Sequence, residues 1–217
     1  MSILVYRSQF PFTRDARVRW MLEELGVAYT TETVMLLADT AQYKKVNPRG
    51  KVPFFVGANE RKNGETVAIS ESGAILLHLA EEYDEGGKLL PKASLDRARV
   101  YQWLFHTVSD LDPVMASIFA NKYFRAGQDG AEAAAAASEE TFARLAIHIE
   151  SALDGNDYLV GNAFSIADIA LGVTLEWGAR VGVLAKYPRL AAYHGHLAAR
   201  PSLTKVLLDS APAQSAA

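Results

Sequence analysis

Lys51-Val52-Pro53-Phe54-Phe55-Val56, the polar connection Gly57-Ala58-Asn59-Glu60-Arg61-Lys62-Asn63-Gly64, and Thr66-Val67-Ala68-Ile69-Ser70-Glu71-Ser72-Gly73-Ala74-Ile75 form the stretch on which the fold turns. Two short runs, Val52–Val56 and Thr66–Ile69, carry the β-branched and aromatic residues that suit strands. The connection ends in Asn63-Gly64, a hairpin signal, so the two runs are expected to pair antiparallel. The pattern then changes to a strongly apolar helical run, Ala74–Tyr83, opened by Ser70–Gly73 and ended by Gly86 and Gly87.

Working outward, Ile3–Tyr6 reads as a buried strand, followed by a polar loop from Arg7 to about Thr13. Ala16, Trp20, Leu22 and Leu25 fall near helical spacing, and Gly26 stands where a helix C-terminal cap is expected. Val27–Val34 reads as a second strand, a short helical or irregular stretch runs through Tyr43 and Lys45, and Asn47-Pro48-Arg49-Gly50 reads as a turn. The order β, α, β, turn, β, β, α describes a small α/β unit whose first two strands run parallel through a helical crossover. Downstream everything is helical. Asp84–Ala93, with two glycines and Pro91, is the expected boundary; a long helix begins near Ser94 and meets Pro113, and Ala131–Ala137 leads into another that ends near Gly155. In Phe164-Ser165-Ile166-Ala167-Asp168-Ile169, Ser165 can cap a helix start and Asp168 can reach back to the Ser165 amide, a stability device. The expected organisation is residues 1–84 as an α/β domain, 85–93 as a linker, 94–210 as an all-helical domain and 211–217 as a flexible tail.

Composition narrows the classes. At 217 residues, 50% apolar, the chain suits two small globular domains. The formal charge is -3 with basic residues scattered, so the footprint of a nucleic-acid binder is missing. No window approaches the roughly 18 apolar residues of a membrane span, and the start lacks a signal-peptide pattern, which points to a cytoplasmic protein. There is no cysteine, which removes disulfides, thiolate metal sites and cysteine nucleophiles together. Any sulfur chemistry must come from a bound thiol. The histidines form no ligand set, His194 and His196 pointing different ways along a helix, so no metal is expected.

Two pieces carry chemistry. Proline in Lys51-Val52-Pro53 cannot donate a ladder hydrogen bond; if the Val52–Pro53 bond is cis, the Val52 amide and carbonyl face outward and can pair with an extended peptide as an added strand. Read alone, the step also suits an ordinary strand edge. Glu71-Ser72 sits at a helix start, where free amides and the positive dipole end attract a carboxylate while Glu71 can hold an ammonium group. The pair would grip the zwitterionic end of an amino-acid-like ligand, although helix capping explains it equally well.

With these pieces at this spacing, the chain resembles the glutathione S-transferases. Arg17-Val18-Arg19-Trp20-Met21-Leu22-Glu23-Glu24-Leu25-Gly26-Val27-Ala28-Tyr29 is similar to the family's first helix and its exit, and Asn47-Pro48-Arg49-Gly50-Lys51-Val52-Pro53 to its cis-proline loop. Ile69-Ser70-Glu71-Ser72-Gly73-Ala74-Ile75 resembles its γ-glutamyl site, and Phe164-Ser165-Ile166-Ala167-Asp168-Ile169-Ala170 its C-terminal capping box. The resemblance implies a thioredoxin-like domain followed by a helical bundle and a homodimer. It further implies glutathione as co-substrate, with Val52 beside Pro53 on the cysteinyl backbone, Glu71 and Ser72 on the γ-glutamyl end, and Lys51 near the glycyl carboxylate.

A free thiol has a pKa of about 8.5, so such an enzyme must favour the thiolate, and a hydroxyl donor or helix N-terminal amides would do so. Without cysteine the chain cannot belong to the cysteine-type members. Counting back from Val18, the family's serine position falls on Phe12, a departure; Thr13, next to it and just before the helix, is the first candidate, Ser8 the second and the strand tyrosine Tyr6 the third. Arg14 could assist electrostatically. The hydrophobic co-substrate is expected against Tyr101 and Phe105, with Phe119 near, although most such aromatics build helical cores. The implied activity is transfer of glutathione to a small hydrophobic electrophile. Glutathione-dependent peroxide reduction or isomerisation, and a non-enzymatic binding module, are the alternatives.

Overall fold

The computed structural model describes residues 2–10, 12–36, 40–59 and 64–209. The connection at 60–63 and the tail at 211–217 lie outside the described residues. The chain divides into two compact units, one comprising Met1–Gly87 with Arg200–Ala217 and the other Lys88–Ala199.

In the first unit, β1 (Ile3–Ser8), α1 (Asp15–Leu25), β2 (Tyr29–Val34), α2 (Ala41–Val46), β3 (Phe54–Asn59), β4 (Glu65–Ser70) and α3 (Ser72–Tyr83) follow one another. The sheet order is β2-β1-β3-β4, with β1 parallel to β2 and antiparallel to β3, and β3 antiparallel to β4. β2 begins two residues later than the sequence suggests because the Val27 amide closes α1, bonding Leu22 O at 3.0 Å while Gly26, at φ 67°, bonds Glu23 O. β3 begins at Phe54 rather than Val52, since Pro53 has no amide for the ladder. Alternation along the strands separates two cores. Tyr6, Val34, Tyr43 and Phe54 pack on the α2 face, whereas Val5 and Phe55 are buried with Val18, Leu22, Ile75 and Leu79 of α1 and α3.

The second unit contains α4 (Ser94–His106), α5 (Asp112–Phe119), α6 (Ala131–Ala152), α7 (Ile166–Arg180) and α8 (Pro188–Ala198). Pro113 lies in the first turn of α5, where its missing amide costs least, and the helix passes from α4 into α5 through a π-helical turn, Thr107–Leu111, rather than breaking. The Ser165 capping box forms, and Asp168 accepts hydrogen bonds from the Ser165 and Leu159 amides (2.8 and 3.0 Å) and from the Tyr193 hydroxyl (2.7 Å).

The last helix, α9 (Pro201–Asp209), groups with the first unit and not with the helices before it. Arg200 donates twice to Glu24 at 2.8 Å, Ser202 and the Trp20 indole bond to the same carboxylate, and Arg19 reaches the Val206 carbonyl at 2.9 Å. These are partners on α1, far away in sequence. Among the described residues no helix is long and apolar enough to cross a membrane.

Candidate functional site

The turn between α2 and β3 is built around Asn47, which is buried. Its amide bonds Tyr43 O, its carbonyl receives Gly50 N at 2.8 Å with Gly50 at φ 63°, and its side-chain oxygen receives Arg49 N. Tyr43 Oη and Asn47 Nδ2 both donate to the Lys51 carbonyl, at 2.7 and 2.8 Å, and so fix the peptide that leads into Val52. The Val52–Pro53 bond is cis. Neither the amide nor the carbonyl of Val52 has a partner among the described residues, which leaves a donor and an acceptor side by side at the mouth of the sheet. The Lys51 side chain is exposed.

At the start of α3 the capping explanation fails. Glu71 occupies the N-cap position at φ 73°, ψ 111° and its side chain makes no cap bond. Ser72 is buried, and its hydroxyl accepts from Arg17 Nη1 at 3.1 Å instead of serving the helix amides. A non-glycine residue at positive φ costs of order 1–3 kcal/mol, and such positions gather at functional sites. The Glu71 carboxylate pairs with Arg49 at 2.7 Å, but both side chains are more than half exposed, so the pair is worth little and exchanges readily with another ion.

In the loop after β1, the organising group is Asp15, fully buried at the first position of α1. One carboxylate oxygen accepts the Ser8 amide at 3.3 Å and the Thr13 hydroxyl; the other pairs with Arg19 at 3.0 Å. Burial pushes the Asp15 carboxyl up, against Arg19 and the Thr13 and Ser8 bonds, which pull it down. Of the three hydroxyl candidates, Thr13 is partly exposed, whereas Ser8 is 1% exposed with its oxygen receiving the Phe10 amide. Tyr6 packs against Tyr43 and Phe54, ring centroids 5.4 and 6.0 Å apart, and opens on a cavity of ≈ 350 Å³ with Glu32, Met35 and Val46. Burial, then Glu32, raises its hydroxyl above the ordinary tyrosine value. Phe12 is buried and its side chain carries no polar atom.

The loop at 47–53, the start of α3 and the start of α1 are thus one connected constellation, joined by Arg49–Glu71, by Ser72–Arg17 and by α1 itself. The sequence names Val52, Pro53, Glu71, Ser72, Thr13 and Ser8 as candidates, but not Asn47, Tyr43, Arg17 and Asp15, which hold them in place. The i, i+4 pair of opposite charges Asp15/Arg19 was the available signal. In the second unit, Tyr101 is half-buried on α4 while Phe105 is 57% exposed and so stands outside the helical core. Phe119 is buried, stacked on Tyr123 at 5.0 Å and set beside Trp177.

Comparison with known proteins agrees with this architecture. Residues 9–87 match the glutathione S-transferase N-terminal domain and residues 113–208 the glutathione S-transferase C-terminal domain. The chain is 32% identical over 172 residues to the disulfide-bond oxidoreductase YfcG of Escherichia coli K12, covering 78% of this chain and 77% of that one. It is 31% identical to glutathione S-transferase F10 of Arabidopsis thaliana, with 78% of each covered. Among solved structures, a sphingomonad glutathione S-transferase complexed with glutathione shares 32% identity at a TM-score of 0.78, covering 95% of this chain and 98% of its own. With both domains matched in order, and a thioredoxin-like sheet preceding the helical unit, the chain belongs to the glutathione S-transferase superfamily.

Proposed function

We propose that the protein binds glutathione along the Val52–Ser72 constellation and promotes attack of its thiolate on a small hydrophobic electrophile. The observation that carries this reading is the open Val52 backbone, rigidly presented by Tyr43 and Asn47 beside the uncapped start of α3. An extended peptide can add its own amide and carbonyl to Val52 as a further strand. The γ-glutamyl carboxylate then meets the α3 amides and Ser72, and its ammonium group takes Glu71, displacing Arg49 from an exposed ion pair. Lys51, exposed beside Val52, serves the glycyl carboxylate. The glutathione complex of the sphingomonad relative supports the ligand.

This alignment points the cysteinyl sulfur toward the start of α1, where Thr13 is the reachable hydroxyl. Ser8 is second, since its oxygen already receives the Phe10 amide, and Tyr6 is third, opening on the cavity beside Glu32 and Val46. Catalysis is then thiolate stabilisation plus proximity. Exposed Phe105, with Tyr101 on the same helix, is assigned to the hydrophobic co-substrate. The family resemblance supports a cytoplasmic homodimer.

A second reading is favoured by the disulfide-bond oxidoreductase relative. Here the bound thiolate attacks a disulfide sulfur and releases the other sulfur as thiolate. The chain has no cysteine, so the exchange would run through glutathione alone. Assays with an aryl halide and with a small disulfide, each on wild type and Thr13→Val, decide between them. The lead reading expects aryl halide conjugation at a kcat/KM reduced at least about tenfold in the variant, a loss of about 1.4 kcal/mol. Turnover of the disulfide alone would replace it with the second, and binding without either turnover would leave a glutathione-binding module.

A further inference from the structure

A threonine hydroxyl carries one hydrogen, and that hydrogen is already donated to Asp15 Oδ1. Thr13 cannot donate it to a thiolate and to the Asp15 carboxylate together. Two anions on one hydroxyl oxygen would also repel each other at close range.

Resting on the reading of Thr13 as the hydroxyl that meets the glutathione sulfur, we infer that Asp15 is the acceptor of the thiol proton, which reaches it through Thr13. The S–H bond breaks as a new O–H bond forms on Thr13 Oγ1. The hydrogen that Thr13 held passes to Asp15 Oδ1. The products are a thiolate, an unchanged threonine that now donates to sulfur, and a neutral carboxylic acid. No charge enters or leaves the pocket; a negative charge moves from Asp15 to sulfur.

The surroundings of Asp15 fit this role. It is fully buried, so a proton placed there has no direct route to water. The Ser8 amide holds the same oxygen that faces Thr13, fixing its direction, and Arg19 holds the other. Arg19 is itself buried and anchored to Val206 O of α9, so the cation stays in place while the negative charge moves. Of the charged side chains on these elements, Lys205 of α9 pairs with Glu23, Arg17 of α1 bonds Ser72, Arg7 of β1 reaches Asp209 O, and Arg14 precedes Asp15 at the N-cap. Burial raises the affinity of Asp15 for a proton, in the sense the transfer requires.

Proton release on ligand binding tests the inference on the unmodified protein. Glutathione and S-methylglutathione, which has no thiol proton, are titrated at pH 6.5 with a pH-indicator dye, while the thiolate ultraviolet band is followed in parallel. With the proton kept on Asp15, the band develops fully and the two ligands release the same number of protons, a difference near zero per site. A band accompanied by about one extra proton released for glutathione overturns the relay and leaves the Thr13 reading standing. No band overturns both. As a second readout that does not depend on a variant's folding, the infrared difference spectrum of wild type is expected to gain a protonated-carboxyl band on binding glutathione and not S-methylglutathione. Absence of that gain counts against Asp15. If Asp15→Asn folds, it should lose the gain and release the proton.

Discussion

Asp15 and Asp168 are both carboxylates with no exposure to water, one at the start of α1 and the other in the first turn of α7, yet they are satisfied in opposite ways. Asp168 is surrounded by neutral donors, namely two amides and the hydroxyls of Ser165 and Tyr193, all from within the helical unit. Asp15 shares its charge with a buried guanidinium and spends an oxygen on a hydroxyl that is partly open to solvent. The first arrangement locks a turn. The second leaves a proton that can be exchanged, because a hydroxyl is donor and acceptor at once. Burial alone does not distinguish the two carboxylates; the chemistry of their partners does, and the role proposed for Asp15 rests on those partners.

The sharpest break in the comparison is expected at Arg19. Arg19→Met removes a buried cation from Asp15 and a donor from Val206 O, and should cost about 3–5 kcal/mol in urea unfolding. A loss below about 1 kcal/mol would mean that the pair contributes no more than a surface one. Asp168→Asn strands no charge but turns an amide group toward donors, so about 2 kcal/mol is expected. Should it cost more than Arg19→Met, the ranking of the two sites would be reversed.

Glu24 stands between these cases. Burial pushes its carboxyl up, but Arg200, Ser202 and Trp20 together outweigh that and hold it below 4.5. A lowered carboxyl stabilises the fold above its unfolded pKa, and that contribution is lost as pH falls through the lowered value. Arg200→Met should therefore cost about 1–2 kcal/mol at neutral pH, and the difference from wild type should shrink as the pH drops below 4.5. A cost that stays constant with pH would assign Arg200 to packing alone. The smallest effect is expected at Ser165→Ala, about 1 kcal/mol, because Asp168 keeps its other donors. Thermal unfolding of the isolated variant checks it, and a loss several times larger would mean that the cap organises the whole Asp168 cluster.

The same contrast explains what could be read from the sequence. The Ser165–Asp168 cap spans a few residues, and local spacing reveals it. So do the strands, Gly26 at the end of α1 and the turn at Asn47, where side-chain period and turn chemistry act over short range. The allegiance of α9 was not legible, since an amphipathic helix declares that it needs a surface without saying which; Glu24 and Trp20 answer that from the far end of the chain. Nor was the burial of Asp15, Arg17 and Arg19, since charged residues on a helix are ordinarily solvated. Val52, Glu71 and Ser72 could be named from the sequence, but the failure of Ser72 to cap and its bond to Arg17 depend on packing between α1 and α3. Thr13 could be named as well, though not the carboxylate to which its hydrogen is already committed.

Titration of glutathione at neutral pH, with the thiolate ultraviolet difference band as readout, tests most directly the proposed ionisation of a thiol at Thr13 and the start of α1. Wild type and Tyr6→Phe should give the same saturable band, and Thr13→Val should bind glutathione with the band largely gone. A band that survives Thr13→Val, or is lost in Tyr6→Phe, would contradict the account and move the sulfur to another hydroxyl.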